Sequence, residues 1–490
     1  MKLRKLALAA ASGLALLGLT QAPASAADRP GFSRVEADFL DHPGALSNAW
    51  GDLDGDGNLD LVVGYKDGAV RIATNVGGRL AAGPVLSAGK DARAVGLGDY
   101  DGDGDLDLYV GTSATPRLSN RLFRNDGRGR FSEVPEGAGA APPGASTRQV
   151  AWIDYDRDGD LDLFVAQRAA PNQLFRNDAG RFTDVAAEIG LADARKTVGA
   201  CWFDADADGD LDVFVANQAG DRDGFFRNDG GRFTDQAEAL GLTPLARKAE
   251  DGSVGCAVGD YDGDGDFDLF VAAYGMNRLH RNDGDRFPDV AEALGIVGED
   301  HHVGAAWADL DNDGALDLYV TTFRTPNPGL PDKLYWNRGG RFVEQLPTAL
   351  VSPGADHGVV AGDLDGDGDL DLAFTHNDDK VGGARVFRND LAAPARDRGF
   401  QVLLRGRGGG PAPGAEVRVR DAAGKLIATR LQDTGGGYDA QGGAPVHLAA
   451  GPGRVTVEAT FLTPSGRRTV VKRGVDPGRY RARPLILAAP

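Results

Sequence analysis

The segment Asp99-Tyr-Asp101-Gly-Asp103-Gly104-Asp105-Leu-Asp107, followed at once by Leu108-Tyr109-Val110, occurs in related form seven times. The copies begin at Asp52, Asp99, Asp154, Asp204, Asp260, Asp309 and Asp363, with spacings of 47, 55, 50, 56, 49 and 54 residues. A period near 50 means one supersecondary unit per repeat, and a unit that must pack on its neighbours to bury its faces.

Substitutions within the nine-residue loop say what it does. Position 1 is Asp in every copy, and so is position 3 (Asp54, Asp101, Asp156, Asp206, Asp262, Asp311, Asp365). The same holds for position 5 (Asp56, Asp103, Asp158, Asp208, Asp264, Asp313, Asp367) and position 9 (Asp60, Asp107, Asp162, Asp212, Asp268, Asp317, Asp371). Position 6 is always Gly, whereas position 7 varies: Asn58, Asp105, Asp160, Asp210, Asp266, Ala315 and Asp369. A calcium loop has this pattern, with side-chain oxygens at 1, 3, 5 and 9, a backbone carbonyl at 7 and a sharp glycine turn at 6. A carbonyl ligand is indifferent to its side chain, so Ala315 is allowed. Hard, crowded oxygen ligands select Ca²⁺ over zinc, copper or octahedral Mg²⁺. A solvated acidic turn would explain the acidity but not the spacing. An EF-hand needs Glu at position 12, and here stand Val63, Val110, Val165, Val215, Val271, Val320 and Phe374, so the loop feeds a strand. The expectation is up to seven structural Ca²⁺ ions.

The loops hold 33 of the chain's 72 acidic residues, so most of the net charge of −19 belongs to these sites. No basic stripe exists to neutralise phosphates, which argues against nucleic acid as a partner. Residues 1–26 read as a secretory signal: Lys2, Arg4 and Lys5, an apolar core from Leu6 to Gly18, and Ala24-Ser25-Ala26 as the cleavage site. No later apolar run is long enough to span a membrane. The expected product is secreted, extracellular or periplasmic.

Each repeat is punctuated alike. A short apolar stretch precedes the loop and a β-rich run follows it. A third strand then ends in Asn (Asn125, Asn177, Asn228, Asn282, Asn337, Asn389), and a Gly-bearing turn leads to a fourth strand headed by Phe131, Phe182, Phe233, Phe287 or Phe342. Four short antiparallel strands per repeat describe a propeller blade. The last repeat has no such fourth strand after Asn389, but Gly31-Phe32-Ser33-Arg34-Val35 resembles one. The expected fold is all-β: a seven-bladed propeller over 27–390, its last blade completed by the leading segment. A linker over 391–398 and a small β domain over 399–490 follow, the latter read from alternating segments such as Glu416-Val-Arg-Val-Arg420 broken by Gly/Pro turns. Cys201 and Cys256 sit three and four residues ahead of their loops, on opposite parity of equivalent strands. That parity predicts two buried free thiols, although export would permit a disulfide.

The seven loops and their flanking strands resemble FG-GAP (VCBS) repeats, the blades of the integrin α-subunit propeller. The run Gly435-Gly-Gly-Tyr438-Asp-Ala-Gln441 through Val446-His-Leu448 and Gly451 is similar to the ASPIC/UnbV domain. Together they resemble the cartilage-acidic-protein-1-like family, which implies Ca²⁺ binding and extracellular recognition or adhesion. No Cys-rich EGF-like module follows, so binding through one is not carried over.

Carboxylates near 4 Å repel by roughly 1 kcal/mol in water and roughly 4 kcal/mol at an effective dielectric of 20. A site of about 0.1 mM affinity in millimolar calcium contributes about 1.4 kcal/mol, and seven contribute about 10. Calcium is therefore expected to be structural, with no catalytic residue assigned to it. The loops leading into each first strand, at the opposite end, carry His42, Arg93, Arg148, Lys196, His301, His302 and His357. The first functional expectation is a non-enzymatic module binding an extracellular protein or glycan there. The alternative is a polysaccharide lyase or hydrolase using His302 or His357 beside Arg148. No nucleophile elbow, phosphate loop, dinucleotide fingerprint or zinc motif is present.

Overall fold

A computed structural model describes residues 30–490 except 115–117, 145, 244–246, 324–329, 353, 381, 436 and 443–444; residues 1–26, expected to be a secretory signal, lie outside the described residues. The chain is all-β, and each acidic loop joins the first two strands of one antiparallel sheet. In the third repeat these strands are Thr147–Ile153, Asp162–Gln167, Gln173–Asn177 and Phe182–Asp184, paired in that order. The second, fourth and sixth repeats follow the same plan. The first has a longer outer strand, Leu80–Ser87. In the seventh, the fourth strand comes from the start of the chain: Phe32–Arg34 lies antiparallel to Phe387–Asn389. The innermost strands lie side by side from one repeat to the next, and Asp356–Gly362 of the seventh packs against Ala45–Gly51 of the first.

The fifth repeat departs from the expected pattern. Phe287 heads no strand; only a single bridge joins His280 to Asp289. Pro288 fills the middle position, where it has no N–H for a ladder. This repeat instead extends its second strand to Met276, and Tyr274–Met276 pairs with Glu299–His301, fusing the fifth and sixth sheets.

The cores lie between neighbouring sheets. Trp152, for example, packs with Ala94, Tyr109 and Phe175 from the two sides of one gap. A glycine five residues before the loop lets inner strands approach closely: a Cβ at Gly199 would stand 2.3 Å from Val254 O, and one at Gly255 the same distance from Val303 O.

The thiol expectation is corrected. Cys201 and Cys256 form a disulfide, with Cα atoms 6.1 Å apart, between the inner strands of the fourth and fifth sheets. Opposite parity is what such a bond requires. Side chains that meet across the gap between stacked sheets leave opposite faces of equivalent strands. Both cysteines belong to one apolar cluster with Phe203, Phe214, Leu269 and Val271.

Residues 399–490 build two further sheets, one of Val446–Ala449, Gly399–Arg405 and Leu485–Ala488, the other of Leu426–Leu431, Glu416–Arg420, Val455–Thr463 and Gly466–Val475. Phe400, Val402, Val417, Leu448, Val457 and Phe461 fill the space between them. This lobe packs against the acidic loops and sends a finger between the inner strands. Gly435 O accepts from Gln149 Nε2, Gly437 bridges Ala200, and Ala440–Gly442 adds a parallel strand to Ala45–Gly51.

Candidate metal centre

Each loop is a double turn held by its own carboxylates. The position 6 glycines all have φ between 89° and 105°, a left-handed conformation that explains why no other residue stands there. Position 4 is left-handed too, even where Arg157, Ala207 and Asn312 occupy it. The Gly at position 6 donates its N–H to Oδ2 of the position 1 Asp in all seven loops, at 3.0–3.1 Å. The position 5 carboxylate accepts from the N–H of position 7 in every copy.

Position 9 anchors the loop. Its Oδ1 accepts from the backbone N–H of the asparagine ending the third strand, at 2.7–2.9 Å in all seven repeats. Its Oδ2 accepts from the N–H of position 2, at 2.7–3.2 Å. The second lone pair on each oxygen stays available to a cation. Carboxylate oxygens of positions 1, 3 and 9 converge within 4.8 Å in the loops of Asp52, Asp99, Asp154 and Asp260; in the loop of Asp204 those of positions 1, 3 and 5 do.

Such crowding is costly without a counter-charge. Burial, opposed by backbone hydrogen bonds and reinforced by neighbouring carboxylates, pushes Asp107, Asp212 and Asp268 up to about 8 and Asp60 up to about 7. Asp162, Asp317 and Asp371 are raised well above the carboxylate range for the same reason. The donor set is all oxygen, anionic and partly desolvated, so it fits a hard divalent cation. Such an ion, when bound, supplies the charge that keeps these carboxylates ionised. At the variable position 7, Asp160, Asp210 and Asp369 accept through Oδ2 from Ala179, Gly230 and Leu391 N–H.

One functional residue type is missed by reading the repeats as separate units. The third-strand asparagine also donates its Nδ2 to the position 2 carbonyl of the preceding loop: Asn125 to Leu53, Asn177 to Tyr100, Asn228 to Tyr155, Asn282 to Ala205, Asn337 to Tyr261 and Asn389 to Leu310. Asn75, in the same register of the first repeat, donates to Leu364 of the seventh at 2.7 Å. Its recurrence after each third strand was the available signal.

Arginines shield the loops from two sides. Arg124, on a third strand, and Arg338, just after one, reach positions 3 and 5 of their own loops. From the C-terminal lobe, Arg467 pairs with Asp204, Arg430 lies 3.8 Å from Asp309, and Gln401 donates to Asp363 at 2.7 Å.

The opposite end does not hold the catalytic set considered from sequence. His302 is fully buried with neither ring nitrogen partnered. His357 is buried too, its Nδ1 3.0 Å from Asp439 Oδ2 of the finger. Neither can reach a polymer. His42 pairs with Asp67 at 2.8 Å, Arg93 with Asp91 at 3.1 Å and Lys196 with Asp221 at 3.5 Å. His301 stacks on Tyr274 at 4.2 Å.

Fold and loops define an all-β repeat protein carrying one acidic oxygen-donor loop per repeat. The chain belongs to the FG-GAP-like repeat family, whose pattern matches residues 52–110, 112–165, 154–215, 204–271, 260–320 and 325–374. No curated protein matches it. Similar solved structures include BBS1N in complex with ARL6DN, soaked with mercury or with lead, at 12% identity, TM-scores of 0.46 and 0.47, and coverage of 74% of this chain and 98% of that one. Another is an Agrocybe aegerita lectin specific for non-reducing terminal N-acetylglucosamine, at 18% identity, a TM-score of 0.40, and coverage of 74% and 94%. Among the described residues no helix is long and apolar enough to cross a membrane.

Proposed function

We propose that the chain is an exported, calcium-stabilised recognition module: a closed seven-bladed propeller over 27–390, joined through 391–398 to an ASPIC/UnbV-like lobe over 399–490, as in the cartilage-acidic-protein-1-like family. The observation that carries the calcium reading is the seven-fold recurrence of one carboxylate arrangement, with position 9 pinned by the third-strand N–H. Closure is supported by the asparagine staple from Asn75 to Leu364, the counterpart between first and last repeats of the six others. The disulfide supports export to an oxidising compartment. Burial of His302 and His357 disfavours the lyase or hydrolase alternative, so recognition of an extracellular protein or glycan is the reading retained.

Elemental analysis of the purified chain in millimolar calcium tests the metal. Several Ca²⁺ per chain, and a melting temperature that falls on adding EGTA and returns with excess Ca²⁺, are the expected results. Loops empty of metal and a transition unmoved by EGTA would overturn it.

A further inference from the structure

The end remote from the acidic loops carries a cationic cluster that calcium binding leaves unused. Arg93 and Arg148 are the second residues of the inner strands Ala92–Gly98 and Thr147–Ile153. Both come within side-chain hydrogen-bonding reach of the hydroxyl of Tyr438, at the finger tip. Arg93 is neutralised by Asp91. Arg148 and the exposed Arg168 have no carboxylate partner among the described residues, and Arg148 Nε is buried without a hydrogen bond. Arg168 stands beside Arg148: its N–H donates to Ser146 O at 3.1 Å, Thr147 pairs with Gln167, and the Arg148 and Arg93 charges act on its guanidinium. Asp439, whose charge is felt by both Arg93 and Arg148, is buried and held by His357, so it is not free to fill the mouth. Beside these arginines Tyr274, half-buried, packs against Val198, Val254, Val303 and Tyr438 and carries His301 stacked at 4.2 Å.

We propose that Arg148 and Arg168 form an oxyanion site at this mouth, floored by Tyr438 and walled by Tyr274 with His301, that takes the carboxylate or sulfate of an acidic sugar. A guanidinium fork matches either group through paired charge-assisted hydrogen bonds. The aromatic wall gives the sugar ring an apolar face, which a free inorganic anion or an acidic peptide side chain would not use. The assignment rests on the recognition reading above and names its ligand class.

Calorimetric titration of the calcium-loaded full chain with glucuronate, N-acetylglucosamine 6-sulfate, glucose and an acidic peptide tests it, the first two separating carboxylate from sulfate. At least one acidic sugar should bind saturably, with glucose weaker by about tenfold or more, the worth of a charge-assisted pair. Arg168→Gln, at an exposed position, should lose the same factor with an unchanged melting temperature, and Tyr274→Ala should weaken the sugar but not inorganic sulfate. Arg148→Gln is the second variant at the same site. Acidic-sugar binding that survives both arginine variants would overturn this site while leaving the recognition reading intact. Equal binding of glucose, preference for the peptide, or no saturable binding of either acidic sugar would overturn the ligand class.

Discussion

The asparagine that ends each third strand does three tasks with one side chain and one N–H. Asn125 donates N–H to Asp107 and Nδ2 to both Leu53 and Leu106 carbonyls, while its Oδ1 receives Gly127 N–H. Replacing it by Ala orphans buried backbone groups in two neighbouring loops at once. Asn125→Ala should cost about 1–3 kcal/mol, read as a lower urea midpoint with an unchanged m-value. His302 makes the opposite kind of residue-level statement. Burial, with the Lys333 and His301 charges, pushes its pKa down to about 3. The unfolded imidazole titrates near 6.5, so between these values only the unfolded chain takes the proton, and stability falls as pH drops below about 6.5. His302→Leu removes the titration without orphaning a partner. It should flatten the dependence of unfolding free energy on pH between 6.5 and 4.5 by up to about 1.4 kcal/mol per pH unit. An unchanged slope in urea titrations at stepped pH would count against a neutral, buried His302.

Elements here are short, and what holds them is lateral. The strand Phe32–Arg34 has three residues, yet it covers the edge of Ala384–Asn389 and puts Phe32 into the gap with Leu334, Trp336 and Leu350. The disulfide acts at the same scale, tying two inner strands that share no ladder. Cys201→Ala with Cys256→Ala should lower stability by about 2–4 kcal/mol, and reductant should move the wild-type transition in the same direction. Two titratable thiols in the unfolded, unreduced chain would refute the bond.

At the scale of the molecule the C-terminal lobe is a lid on the acidic face and an axle through the inner strands. Arg467 shows how closely the two parts are joined: it pairs with Asp204 of the fourth loop and, at 2.8 Å, with both oxygens of Glu416 in its own lobe. Both carboxylates are buried. Arg467→Met should destabilise the metal-free chain by about 3–5 kcal/mol, the cost of stranding buried charge. With calcium present the loss should shrink, since an ion on the fourth loop would neutralise Asp204. Melting curves of both proteins with and without EGTA check this, and an equal loss in the two conditions would separate the lobe contact from the metal.

The loop spacing and the strand order of every repeat but the fifth were legible from sequence, because each rests on local chemistry repeated along the chain; the part played by Phe32–Arg34 was legible because it matches the fourth strand that the last repeat lacks. A calcium-type loop is written by residues within nine positions of one another, and alternation marks a strand wherever it occurs. Contacts between repeats were not legible. The Cys201–Cys256 bond, the asparagine staples, the fused fifth and sixth sheets and the finger under Arg148 depend on which faces stacking brings together. A single sequence carries no register between distant segments, so opposite parity was read as separation when stacked sheets turn it into contact. The chain's local grammar comes from its residues; the burial of His357 and the exposure of Arg168 were decided only when the lobe closed over the sheets.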